Sequence, residues 1–129
     1  MSSGLYRATV LDHYRNPQHS TFLVQPTHAA EVVNQACGDR VRATLRIRDD
    51  LVWEIGIIAE GCALTVAGAS IVAEVAMGKS VQQVTAIQTR YIWELLGNLE
   101  PSAARQRCLS LGLEAVQQAL ADPSADHIS

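Results

Sequence analysis

The chain has 129 residues and a mass of 14.0 kDa, which is the size of one domain. Its formal net charge of −3 and its pI near 5.7 argue against a nucleic acid as the main partner. No apolar run approaches the ~20 residues that cross a bilayer, and the first residues lack the apolar region of a signal peptide. We therefore expect one cytoplasmic domain over residues 1–129, without membrane contact and with a flexible tail from about 121 to 129.

A first helix is predicted from Leu5 to Tyr14, where apolar side chains recur at near-helical spacing. Pro17 ends it, because a proline restricts the residue before it to extended backbone. A polar connection follows, and Glu31 to Val33 is expected to form a short strand.

The clearest periodicity runs from Asp39 to Arg48, where aliphatic residues alternate with arginines and a threonine. A period of two places the aliphatic side chains on one face of a strand and the arginines on the other. Asp49-Asp50 is a candidate turn, and Leu51 to Ala59 alternates again with Trp53 in the aliphatic phase. The pattern predicts an antiparallel hairpin with one buried face, and Trp53 is expected in the core.

After Cys62 the period changes to that of a helix, with an apolar stripe from Leu64 to Val75 and Gly78 as its C-terminal stop. The small residues 67–70 would let this helix approach the sheet closely. Ser80 is a candidate N-cap for a short helix ending at Ile87.

Another short helix is predicted from Tyr91 to Leu96, and the last from about Pro101 to Leu120. Strands followed by helices indicate an α+β fold. We expect a small three-stranded antiparallel sheet covered by helices, with an N-terminal helix and a long C-terminal helix.

Three cysteines stand apart from one another, at Cys37, Cys62 and Cys108. In a reducing compartment such cysteines are more often ligands, reactive thiols or core residues than disulfides. Asp39 follows Cys37 by two positions, so in an extended segment the thiolate and the carboxylate face the same side. Cys62 is expected at a helix N-terminus, which favours a thiolate. Arginines 105 and 107 are expected to lower the pKa of Cys108.

The cysteines lie 25 and 46 residues apart, without the close pairs of zinc fingers, redoxins and ferredoxins. Two metal interpretations remain. Zinc would take three sulfurs and one oxygen, whereas an iron–sulfur cluster would have one weakly held corner at Asp39. Ordinary core or half-exposed cysteines are the alternative, and the spacing alone does not decide.

The motifs resemble those of the U-type iron–sulfur assembly proteins, namely IscU, SufU and the N-terminal domain of NifU. Residues 34–40, Asn-Gln-Ala-Cys-Gly-Asp-Arg, are similar to the family's Asn-Pro-x-Cys-Gly-Asp segment. Residues 60–63 and 67–70 look like its second motif, Cys108 stands where its third cysteine begins the final helix, and residues 12–17 are similar to the end of its first helix. The resemblance extends from about Leu5 to Leu120.

The resemblance implies that Cys37, Asp39, Cys62 and Cys108 bind zinc, iron or a labile [2Fe-2S] cluster. It also implies that a cysteine desulfurase delivers persulfide sulfur, with Cys37 or Cys108 as the candidate acceptor, and that apo iron–sulfur proteins receive the cluster. Such a protein is a scaffold or sulfur acceptor rather than a conventional enzyme. We expect a monomer or weak homo-oligomer.

Two departures from the family pattern leave the subgroup open. Arg107 replaces the histidine that precedes the third cysteine of IscU, and residues 100–104 do not match its chaperone-binding Leu-Pro-Pro-Val-Lys segment. Both differences favour SufU, but the usual SufU insertion between the second and third cysteines is missing. The alternatives to a scaffold are therefore a zinc-bound sulfurtransferase that activates a cysteine desulfurase, and a structural zinc-binding interaction module.

For the other residues that could bind a metal or a partner, a structural role is favoured. His13 is expected to pack or hydrogen-bond rather than bind a metal. Tyr91 and Trp93 could form a partner patch, although core packing is favoured. The arginine stripe could dock an acidic partner, but a solvated sheet face paired with Glu54 is favoured; the stripe comprises Arg40, Arg42, Arg46 and Arg48.

Overall fold

A computed structural model of the chain describes residues 2–36, 38–97 and 102–121, with side chains from residue 8 onward. Of the tail expected from about 121 to 129, residues 122–129 lie outside the described residues, as does the expected helix start at Pro101, whereas Ala121 still belongs to the last helix. The elements in chain order are α1 (Ser2–Arg15), β1 (His28–Asn34), β2 (Asp39–Arg48), β3 (Leu51–Glu60), α2 (Ala63–Ala76), α3 (Val81–Thr85), α4 (Thr89–Leu95) and α5 (Ala103–Ala121). The α+β class is confirmed, although β1 is longer than the sequence pattern indicated.

The three strands form one antiparallel sheet in the order β1-β2-β3. The alternation in β2 has the predicted effect, since Val41, Ala43 and Leu45 are all fully buried. The predicted turn at Asp49-Asp50 is also present, with φ values of 53° and 65°. Both residues thus adopt the left-handed conformation that a two-residue hairpin loop of type I′ requires.

The prediction that Trp53 lies in the core is wrong. The register of β2 and β3 shifts between Arg46 and Ile47, so that Arg46 faces Glu54 while Ile47 faces Val52. Such a bulge leaves an extra residue in one strand and reverses the phase of alternation beyond it. Val52 is therefore buried, whereas Trp53 is 55% exposed.

Helices α2 and α5 cover the aliphatic face of the sheet and pack against each other, and α1 packs on α2. Two of the small residues of α2, Gly68 and Ala69, pack closely against α5. A Cβ at Gly68 would lie 2.6 Å from the carbonyl oxygen of Leu109, and one at Gly112 would lie 2.7 Å from Cα of Ala69. This contact brings the N-terminal halves of α2 and α5 together.

The predicted structural role of His13 is confirmed. Its ring is buried between α1 and α2, and Nδ1 lies 2.7 Å from Oγ of Ser70. The backbone N–H of Gln18 donates to the same hydroxyl over 2.8 Å. This buried link fixes α1 and the chain after it against α2.

The arginine stripe occupies the opposite face of the sheet, and its expected pairing with Glu54 is confirmed through Arg46. Arg42 and Arg48 stack over the rings of Phe22 and Trp53, at 5.0 and 4.8 Å from the ring centroids. A cation–π contact of this kind stabilises an aromatic ring that remains exposed to solvent beside an arginine.

Of the aromatic pair on α4, Trp93 packs against the core as favoured, whereas Tyr91 is 45% exposed. Across the described ranges no helix combines the length and the apolar character needed to span a membrane.

Candidate metal centre

Asp39 begins β2 at the point where the sheet turns back from β1. Its cross-strand partner is Asn34, and the carbonyl oxygen of Asn34 accepts a 2.7 Å hydrogen bond from the N–H of Gly38. Gly38 has φ of +80°, which glycine adopts without the strain that a side chain would bring. The turn directs the Asp39 side chain inward, where the residue is only 5% exposed.

Cys62 lies where β3 passes into α2. The preceding Gly61 has φ of +150°, and a Cβ there would collide with Oδ1 of Asp39. Cys62 is the N-cap of α2 and has extended backbone, with its carbonyl accepting from the N–H of Thr65 over 3.0 Å. Its thiol makes no capping hydrogen bond and faces Asp39 instead, with Sγ 3.7 Å from Oδ2.

Cys108 lies in the second turn of α5, next to Leu109, the residue against which Gly68 packs. Its thiol is half-buried and donates to Oδ2 of Asp39 over 3.5 Å. The close packing of α2 and α5 thus brings two cysteines 46 positions apart to the same carboxylate oxygen.

The structure therefore assembles Asp39, Cys62 and Cys108, whose potential ligand atoms all lie within 4.8 Å of one another. With bonds of about 2.3 Å to sulfur and about 2.0 Å to oxygen, a tetrahedral zinc site separates a sulfur from an oxygen by about 3.5 Å. The two sulfur–oxygen distances of 3.7 and 3.5 Å match that separation. The donor atoms present fit a single zinc or ferrous ion.

The expectation that arginines would lower the pKa of Cys108 is wrong. Burial, together with the adjacent Cys62 thiol, raises the pKa of Cys108 to about 12. Arg105 and Arg107 are both exposed, so their charges are screened by water. Without a cation, Cys108 is therefore a neutral thiol, whereas a coordinated metal ion would deprotonate it.

The fourth predicted ligand, Cys37, lies outside the described residues. Arg107, which replaces the family's histidine, lines a cavity of about 310 Å³ together with Asn34, Gln35 and Ala36, the residues that lead to Cys37. A second opening, of about 400 Å³, lies directly at the thiols and is lined by Cys62, Ala63, Leu64, Ala104, Arg105 and Cys108.

Thr65 also contributes to the site, although it was not among the site residues predicted from the sequence. Thr65 is fully buried, and its hydroxyl donates to Oδ2 of Asp39 over 2.6 Å. Its position three residues after Cys62 was the available signal, because residues three apart on a helix share a face.

The sequence pattern of the family described as NifU-like N terminal domain matches residues 5–127. Over 118 residues the chain is 36% identical to the bifunctional protein NifU/MnmA of Rubrobacter xylanophilus. The aligned residues cover 91% of this chain and 24% of that protein. The chain is 30% identical over 119 residues to the iron-sulfur cluster assembly scaffold protein IscU of Aquifex aeolicus, covering 91% of this chain and 74% of that protein.

The chain is also 27% identical over 135 residues to the zinc-dependent sulfurtransferase SufU of Bacillus subtilis, covering 91% of this chain and 90% of that protein. A crystal structure of a putative scaffold protein for the SUF system from Fervidobacterium islandicum has the same fold. Its TM-score is 0.79 with 18% sequence identity, over 93% of this chain and 99% of that one.

Proposed function

The chain belongs to the NifU-like N-terminal domain family, and from that premise we propose that it is an iron–sulfur cluster assembly scaffold. In this role it accepts persulfide sulfur from a cysteine desulfurase, binds iron or a labile [2Fe-2S] cluster, and transfers the cluster to apo-proteins. The observation that carries the proposal is the convergence of Asp39, Cys62 and Cys108 from the start of β2, the N-cap of α2 and the second turn of α5.

Each residue has a chemical task in this proposal. Cys62, Cys108 and Cys37 bind iron through sulfur, and Asp39 binds through oxygen. Because iron–sulfur clusters are ordinarily held by cysteine thiolates, a carboxylate makes a weaker corner. A weak corner suits a cluster that must be released to another protein.

Sulfur acceptance requires a thiolate that an incoming persulfide can reach. The thiolate of Cys37, or that of Cys108 where a coordinated metal ion would have deprotonated it, attacks the outer sulfur of the desulfurase persulfide. A new sulfur–sulfur bond forms, and the desulfurase cysteine leaves as a thiolate, so no external oxidant is needed. The opening at Cys62 and Cys108 supports this access, since its other lining residues are small or apolar apart from Arg105.

The second candidate function is a zinc-bound sulfurtransferase that activates a cysteine desulfurase. The close spacing of the donor atoms favours it, because three ligands within 4.8 Å suit one ion, whereas a [2Fe-2S] cluster divides its ligands between two irons. Bound zinc would stabilise the thiolates as a Lewis acid. Asp39, already beside both thiols, would keep part of the donor set when one cysteine leaves to take sulfur.

One experiment separates the two functions. The protein is purified anaerobically, its metal is quantified, and a cysteine desulfurase, cysteine and Fe²⁺ are added. A scaffold develops the visible absorption of a cluster that transfers to an apo-ferredoxin. Tight zinc with strong desulfurase stimulation and no cluster would favour the sulfurtransferase.

Three alanine variants serve as the controls for both functions, namely Cys37→Ala, Cys62→Ala and Cys108→Ala. If none of them changes the metal content or the desulfurase rate, both proposals fail, because the site residues would then take no part in either activity.

A further inference from the structure

Thr65 makes buried polar contacts with the candidate ligands. Its side chain is fully buried, and its hydroxyl oxygen lies 2.6 Å from Oδ2 of Asp39 and 3.4 Å from Sγ of Cys62. A carboxylate accepts but does not donate, so the hydroxyl proton is directed to Asp39. The threonine oxygen then faces the Cys62 thiol as an acceptor.

The oxygen that Thr65 holds is the one that faces both thiols. Sγ of Cys62 and Sγ of Cys108 lie 3.7 and 3.5 Å from this same Oδ2 atom. On the other side of the carboxylate, the backbone at Gly61 leaves no room for a Cβ beside Oδ1. The start of α2 and the residue before it therefore restrain both oxygens of Asp39.

An ionised carboxylate oxygen can accept more than one bond, so Thr65 can keep its hydrogen bond while Oδ2 acts as a ligand. Without that hydrogen bond, the carboxylate could rotate about its own side-chain bond and move Oδ2 away from the sulfurs. Hydrogen bonds to ligating carboxylates typically change metal affinity by about 10–100-fold.

We propose that Thr65 is a positioning residue of the metal centre, whose hydroxyl holds Oδ2 of Asp39 at the distance from Cys62 and Cys108 that one ion requires. The inference rests on the proposed function in that it takes these three residues to be ligands. In this role the Thr65 side chain does not itself need to touch the metal.

The test is Thr65→Val, which keeps the branched shape of the side chain and removes its hydrogen-bond donor. The apo-protein is titrated with Zn²⁺ against a chromophoric chelator, and separately with Co²⁺ under anaerobic conditions. We expect zinc to bind about 10–100-fold more weakly to the variant. The Co²⁺ complex should keep its sulfur charge-transfer absorption and show altered d–d bands, because the oxygen ligand moves while the sulfurs remain.

Two controls distinguish positioning from a general loss of stability. Thr65→Ser restores the hydroxyl and should recover most of the affinity and the wild-type Co²⁺ spectrum. Thr44→Val removes another buried hydroxyl, one that accepts from the N–H of Leu23 and donates to the carbonyl of Gly56 on the opposite face of the sheet. That variant should lose stability and keep its zinc affinity. If Thr65→Val does not fold, Thr65→Ala provides the same comparison with Thr65→Ser.

The outcomes for the two proposals are distinct. If the wild type binds zinc but Thr65→Val matches its affinity and Co²⁺ spectrum, or Thr65→Ser fails to restore them, the role of Thr65 is refuted and the proposed function stands. If the wild type binds neither zinc nor Co²⁺, both are overturned.

Discussion

At the scale of single residues, Cys108 shows how burial determines the state of a thiol. Its flanking arginines extend into solvent, whereas its sulfur lies beside Cys62 and Asp39. The pKa of Cys108, raised to about 12, keeps the thiol protonated throughout the neutral range when no metal is bound.

This raised pKa predicts slow alkylation of Cys108 in the metal-free protein. Only the thiolate reacts, so the rate should still be rising by about tenfold per pH unit at pH 10, whereas an ordinary thiol levels off above its pKa of about 8.5. Iodoacetamide labelling from pH 7 to 10, resolved by site with mass spectrometry, measures the rate. An unfolded peptide containing Cys108 serves as the control, and a plateau near pH 9 in the folded protein would contradict the assignment.

At Gly61, one added carbon atom is expected to disturb the candidate metal site. In Gly61→Ala the new Cβ would collide with Oδ1 of Asp39, in addition to backbone strain of about 1–3 kcal/mol at positive φ. We expect lower stability and weaker zinc binding, measured by denaturant unfolding and chelator competition.

The matched control is Gly78→Ala, because Gly78 has φ of +80° but no atom within 4 Å of the added Cβ. It should lose stability and keep its zinc affinity. Equal losses of zinc affinity in both variants would show that the collision with Asp39 is not the cause of the weaker zinc binding.

At the scale of elements, the contact between α2 and α5 determines whether the site exists. In Gly68→Ala the new Cβ would lie 2.6 Å from a backbone oxygen of α5, so the two helices must separate. Overpacking of this kind typically costs about 1–3 kcal/mol of unfolding free energy. Since Cys62 and Cys108 lie on the separating elements, zinc affinity should fall as well.

Gly56→Ala is the control for that variant. Its Cβ would collide with the backbone of Thr21 on the outer face of the sheet, away from the thiols. It should lower the free energy of unfolding and leave zinc affinity unchanged. A Gly68→Ala variant that unfolds earlier but binds zinc as tightly as the wild type would argue against helix packing as the determinant of the site.

The element types and much of the core could be predicted from sequence, because they depend on local periodicity. The alternation in β2 and the change of period after Cys62 are examples. The bulge that exposes Trp53 could not, because the extra residue is determined by the pairing of two strands. The pKa of Cys108 and the contact of Thr65 likewise depend on packing between elements distant in sequence.

At the scale of the whole molecule, the site joins β2, the junction of β3 with α2, and α5. A metal ion bound there would cross-link segments 69 residues apart and stabilise the fold, by about 4 kcal/mol at a free concentration 1,000 times its Kd. Metal binding displaces protons from the thiols, so this stabilisation should grow as pH rises.

Thermal unfolding with and without zinc, between pH 6 and 8, tests this linkage. The zinc-dependent rise in Tm should be larger at pH 8 than at pH 6. The same rise at both pH values, or a rise retained in Cys62→Ala and Cys108→Ala, would indicate that zinc binds elsewhere.

The most direct test of the central claim is X-ray absorption spectroscopy of the zinc-loaded protein, which counts the ligands and identifies their elements. We predict a four-coordinate ion with at least two sulfurs at about 2.3 Å and an oxygen at about 2.0 Å. Cys62→Ser and Cys108→Ser should each remove one sulfur. Coordination by nitrogen and oxygen alone, or a sulfur count unchanged in both variants, would contradict the claim that Asp39, Cys62 and Cys108 hold one ion.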